Sequence, residues 1–111
     1  MINKRRYTRI PIAGLANIEF KDQEKIHSIQ TVIGNISLGG MGVYAYNSIK
    51  LKTDVSITIY FVFSDGSLKT DSLTGHVISN KRIDNTYFIG IQFNEELDLE
   101  KQPFLSKHMN S

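Results

Sequence analysis

The 111-residue chain has no cysteine, no tryptophan and only two prolines. Without cysteine, disulfide scaffolds and Cys-based zinc sites are excluded, and a reducing compartment fits. No apolar run approaches the roughly 20 residues of a membrane helix. The basic N-terminus lacks the apolar core of a signal peptide. The expectation is a cytoplasmic domain with no membrane insertion. Catalytic sets are also scarce. His27, His76 and His108 stand far apart, with no metal-ligand spacing between them. The Gly39-Gly40-Met41-Gly42 run lacks the Lys-Ser/Thr of a phosphate loop, and there is no nucleophile elbow. Glu95, Glu96 and Asp98 suit the charge of a helix N-terminus better than a carboxylate dyad. These absences argue against an enzyme and require neither metal nor cofactor.

What is present is an ordinary globular composition, with 41% hydrophobic and 22% charged residues. The length fits one domain with a modest core. The net charge of +2 hides an asymmetry. Lys4, Arg5, Arg6 and Arg9 take four of the 13 basic groups, and residues 1–9 hold none of the 11 acids. Nine basic groups against 11 acidic ones leave the rest of the chain at −2. A protein that coats nucleic acid needs a wide basic face, so the acidic body argues against that partner.

Strand signals dominate. Even positions from Ile10 to Phe20 are apolar or small, a period-2 pattern that reads as one half-buried strand. Lys21 to Lys25 reads as a charged turn. A second strand is expected over Ile26 to Ile33 and a third through Met41, Val43 and Ala45. Val55, Ile57, Ile59, Phe61 and Phe63 alternate with Ser56, Thr58 and Tyr60 in a fourth. Asp65-Gly66 marks a hairpin turn. The fifth strand runs from about Leu68 to Asn80, with Gly75 as the expected bulge. In the sixth, Tyr87, Ile89, Ile91 and Phe93 share a face. Six strands with short turns imply an all-β antiparallel barrel or sandwich. Residues 97–109 read as a short C-terminal helix beginning near 99–103, because Pro103 fits a first turn and not an interior.

Two segments carry ligand chemistry. In Arg5-Arg6-Tyr7-Thr8-Arg9, arginine forks can grip a phosphate or the O6/N7 edge of guanine, and can stack on a base. In Asn35-Ile36-Ser37-Leu38-Gly39-Gly40, Asn35 offers an amide for a base edge and Ser37 a hydroxyl. Gly39 and Gly40 permit positive φ and close approach to the backbone. Taken singly, the first also reads as a solvated tail and the second as a plain turn.

Together, in this order, they resemble the PilZ domain, a bacterial receptor for cyclic di-GMP with RxxxR and [D/N]xSxxG signatures. Tyr87-Phe88-Ile89-Gly90-Ile91-Gln92-Phe93 is similar to that family's last barrel strand. The resemblance covers the whole chain as one domain: an arginine segment at 1–9, a barrel over 10–94 and a helix region over 97–109. It implies a six-stranded antiparallel β-barrel with a short C-terminal helix. It also implies that Arg5 and Arg9, with Arg6 as helper, hold phosphate and guanine. Asn35 and Ser37 then hydrogen-bond the ligand, and Gly39 and Gly40 give close approach. The arginine segment is mobile until ligand folds it over the barrel, and a downstream protein partner senses the change. The receptor is a monomer or a ligand-linked homodimer. The alternative is a PilZ-fold adaptor whose interactions do not depend on the ligand.

Overall fold

The computed structural model describes residues 10–11, 14–63, 65–98 and 100–105. Seven antiparallel strands follow one another: β1 (Ile10–Pro11), β2 (Leu15–Asp22), β3 (Lys25–Ile36), β4 (Gly40–Ala45), β5 (Asp54–Val62), β6 (Leu68–Ile83) and β7 (Thr86–Phe93). Their order is β1-β3-β2-β5-β6-β7-β4, and β4 also pairs with β3. The six long strands therefore close into a ring, as expected, while β1 is a two-residue addition at the end of β3. Among the described residues the helix is a single turn over 103–105 that starts at Pro103. There the missing N–H costs nothing. Residues 106–109 of the expected helix lie outside the described residues.

Alternation builds the core. Ala16, Ile18, Ile33, Val43, Ile57, Ile59, Val77, Ile89 and Ile91 are all buried, each on the inner face of its strand. The ends are closed by residues outside the strands. Ile49, between β4 and β5, is buried, and its carbonyl accepts from Asn80 Nδ2 at 2.8 Å. Leu105 is buried at the other end, and its N–H donates to the buried carboxylate of Asp71 at 2.5 Å. The Phe104 ring lies 6.2 Å from that of Phe61 and 5.7 Å from that of Phe63.

Four sequence expectations need correction. The segment from Ile10 to Phe20 is not one strand, because β1 pairs with Asn35 and Ile36 whereas β2 pairs with residues 25–32 of β3. The second strand does not stop at Ile33. A bulge lets β3 continue to Ile36. The fifth strand runs on to Ile83. Its bulge lies between Val77 and Ser79, not at Gly75. Gly75 stays in regular pairing, where a Cβ would collide with the carbonyl of Gln92. The Asp65-Gly66 turn is as expected: Gly66 has φ 85, and Asp65 Oδ1 accepts from the Ser67 N–H at 2.8 Å.

Candidate functional site

The second motif straddles the end of β3 and the turn into β4. Val43 pairs with Ile33 and Gly42 with Asn35, so Gly34 and Asn35 together oppose a single residue. Such a bulge resets the alternation. Ile33 and Ile36 both face inward and are buried, and Asn35 is left half-buried on the outer side. Asn35 also pairs with Pro11 of β1.

The strand ends at Ile36, so Ser37 lies in the turn. Its N–H donates to the Gly40 carbonyl at 2.8 Å, its hydroxyl reaches the same oxygen at 3.3 Å, and it is buried. The Leu38 carbonyl accepts from the Leu97 N–H at 3.0 Å, and that of Gly39 from Phe93 at 2.9 Å. Three consecutive carbonyls are thereby fixed. Neither Gly39 nor Gly40 uses the positive φ that glycine permits. Close approach is what requires Gly40: a Cβ there would stand 2.5 Å from the Ile91 carbonyl of β7.

The outer face beside Asn35 is aromatic. Tyr44 and Phe88 pack with ring centroids 4.8 Å apart and planes at 52°. Both lie against Gly34, and Phe88 covers Gly42, where a side chain would displace the ring. Sequence reading missed this pair. The signal was the combination of bare glycines at 34 and 42 with outward positions at 44 and 88.

Arg5, Arg6 and Arg9 lie outside the described residues. The connection to them is still informative. Ile10, which follows Arg9 directly, pairs with Ile36, the residue before Ser37. The chain therefore joins the arginine motif to the barrel beside the second motif. Asn35 at the end of β3, Ser37 and Gly39 in the turn and Gly40 at the start of β4 are brought together.

Elsewhere, catalytic geometry is missing among the described residues. No group of three metal-binding side chains assembles. His27 stacks on Phe20 at 5.2 Å, and His76 Nδ1 lies 3.4 Å from Asn94 Oδ1. Glu95 pairs with Lys101 at 2.9 Å on the surface. A cavity of about 540 Å³ runs along β5 and β6 past Ser56, Thr58, Ser72 and Thr74. Its hydroxyls lie on the outer strand faces, and its one lysine, Lys101, is the partner of Glu95, so it offers no cradle for an anion. No helix among the described residues is long and apolar enough to cross a membrane.

Residues 3–107 match the family model described as the PilZ domain. The chain belongs to the PilZ domain family. Among solved structures it is similar to the Bacillus subtilis inhibitor of motility MotI/DgrA, with TM-score 0.70 at 15% identity, covering 99% of this chain and 54% of that one. It is also similar to the PilZ domain of Escherichia coli YcgR with c-di-GMP, with TM-score 0.62 at 17% identity, covering 83% of this chain and 79% of that one. Full YcgR in complex with c-di-GMP gives TM-score 0.54 at 16% identity, covering 98% and 44%. The chain thus spans about half the length of MotI and of full YcgR. No curated protein matches the chain. At these identities the structural likeness establishes the PilZ fold, and the ligand has to be argued from the residues.

Proposed function

We propose that this PilZ domain is a cytoplasmic, non-enzymatic receptor for cyclic di-GMP that changes conformation on binding and signals to a downstream protein. The observation that carries the reading is where the chain enters the barrel. Ile10, next to Arg9, pairs with Ile36 inside the Asn35–Gly40 motif. Arg5 and Arg9 supply bidentate donors for phosphate and for a guanine edge, with Arg6 assisting. Asn35 and Ser37 supply the polar contacts, and the glycine-bearing turn at Gly39 and Gly40 gives close approach. The flat faces of Phe88 and Tyr44, beside Asn35, suit a stacked purine. Ordering the arginine segment costs conformational entropy, so the ligand selects one arrangement of residues 1–9 on the barrel. That rearranged surface is what a partner reads.

Isothermal titration with cyclic di-GMP tests the reading. Binding is expected, and Arg9→Ala lowers affinity at least about 100-fold with an unchanged melting temperature, since each charge-assisted hydrogen bond contributes about 1.5–3 kcal/mol. Absence of binding heat at high micromolar ligand refutes it. The ligand-independent adaptor is favoured by one observation, the exposure of Leu15, Val32, Tyr44 and Tyr46 on one outer face. Partner capture that persists in an Arg5/Arg9 double variant, with or without ligand, would select it.

A further inference from the structure

Strand β3 has two edges, and they are treated unequally. One pairs with β2 along the whole of Lys25–Val32. The other pairs with β4 only from Val32 to Ile36. Among the described residues nothing hydrogen-bonds to that second edge over residues 25–31. Parts of another strand's edges that run past their partners are covered. On β6, Asn94 donates to the Thr74 carbonyl, Gln102 to that of Ser72, and the backbone of residues 52–53 exchanges two bonds with Val77.

The backbone phase can be worked out. The Ile33 N–H donates to Gly14 on the β2 side. Along a regular strand, N–H and C=O groups alternate between edges. Odd residues of β3 therefore serve β2, and Ile26, Ser28 and Gln30 turn their backbone groups to the open edge. The open stretch also lacks the usual protection of an edge. From Ile26 to Val32 there is no Asp, Glu, Lys, Arg, Pro or Gly, where natural edges carry lysine, proline or a bulge. Ile26 is 76% exposed.

We propose that this edge is the contact between two copies of the chain, paired antiparallel about a two-fold axis at Ser28. The choice of a second copy follows from self-complementarity. Ser28 is the midpoint of the open stretch, so the pairing uses all of it. Lys25 falls opposite Thr31, and no like charges meet. Ser28 faces Ser28 of the partner subunit, and Gln30 faces Ile26 of the partner subunit, each pair exchanging two N–H···O bonds. Gln30 and Val32 line an apolar cavity of about 280 Å³ with Leu15, Tyr44 and Tyr46. The register therefore brings the exposed Ile26 of one copy to the mouth of the other's cavity, twice over by symmetry. The pairing is independent of cyclic di-GMP. Seven residues of edge per copy make a small contact, so the dimer is expected to be weak, on the order of micromolar.

Sedimentation equilibrium of the full chain without ligand, from about 1 µM to 1 mM, tests the proposal. The mass is expected to rise from one chain to two and to stop there. Ser28→Lys sets two like charges face to face on the axis and raises the dissociation constant at least tenfold. Ser28→Glu does the same, and an equimolar mixture of the two variants restores the dimer as a mixed species. Melting curves verify the fold of both. If the Glu variant is weakened beside Glu19, its neighbour on β2, the Lys variant alone decides. A monomer at every concentration, growth beyond two copies, an undiminished dimer in Ser28→Lys, or a mixture of folded variants that stays monomeric overturns the proposal. A monomer whose edge takes up another protein's extended segment counts against it in the same way.

Discussion

The two ends of the barrel are closed by a single buried aliphatic residue each, but the closures differ in chemistry. At one end Ile49 is held through its carbonyl by the neutral amide of Asn80. At the other, Leu105 is held through its N–H by the carboxylate of Asp71. Both anchors sit on β6, nine residues or roughly 30 Å apart. The neutral anchor is indifferent to pH. The charged one is not. Burial pushes the Asp71 carboxyl above its ordinary value, while the N–H groups of Leu105 and Phe104 pull it partly back. One end thus holds at any pH, and the other is adjustable.

The aliphatic plugs should have the largest effects. Leu105→Ala and Ile49→Ala each remove a fully buried side chain and are expected to cost about 2–5 kcal/mol in urea unfolding. If the Leu105 variant costs under 1 kcal/mol, that end is not a true closure and the symmetry of the comparison fails.

Next come the anchors. Asp71→Ala leaves the Leu105 N–H unpaired and costs about 1–3 kcal/mol, whereas Asp71→Asn keeps an acceptor and removes the buried charge. The sign with pH follows from linkage. The folded chain keeps the Asp71 proton to higher pH than the unfolded chain, so this group's contribution falls as pH rises from the unfolded carboxylate value through the raised folded one, then levels off. Melting temperatures taken across that window should show the fall in the wild type and not in Asp71→Asn. An identical slope in both would remove the distinction between the ends.

The smallest change is expected at the neutral anchor. Asn80→Ala loses one hydrogen bond, about 0.5–1.5 kcal/mol. It also removes a buried Oδ1 that has no partner, which offsets part of that loss. Its effect should be the same at every pH.

Much of this was legible in the sequence, because period-2 patterns and turn pairs are local. Val55 to Phe61 alternates in the chain as it does in β5, although the strand ends before Phe63, which is exposed, and Asp65-Gly66 turns where such pairs turn. What escaped was decided by distant neighbours. Gly75 looks like a bulge residue, but its reason for being glycine is the Gln92 carbonyl on another strand. Asp71 shares the inner phase of Leu73 and Val77, so a charge on a core face was visible; its partner, some 30 residues on, was not. For the site, the two motifs could be found because each is contiguous. The Tyr44–Phe88 pair could not, since it forms only when β4 and β7 lie side by side.

The bulge at Gly34 and Asn35 acts on the sheet much as an inserted base acts on a reading frame. One extra residue shifts the phase, so that Asn35 comes out and Ile36 goes in. Straightening the strand with both residues kept would put every letter of the motif out of frame, with the asparagine written into the core and the isoleucine into solvent; deleting Gly34 would instead restore plain alternation, with Asn35 still out and Ile36 still in.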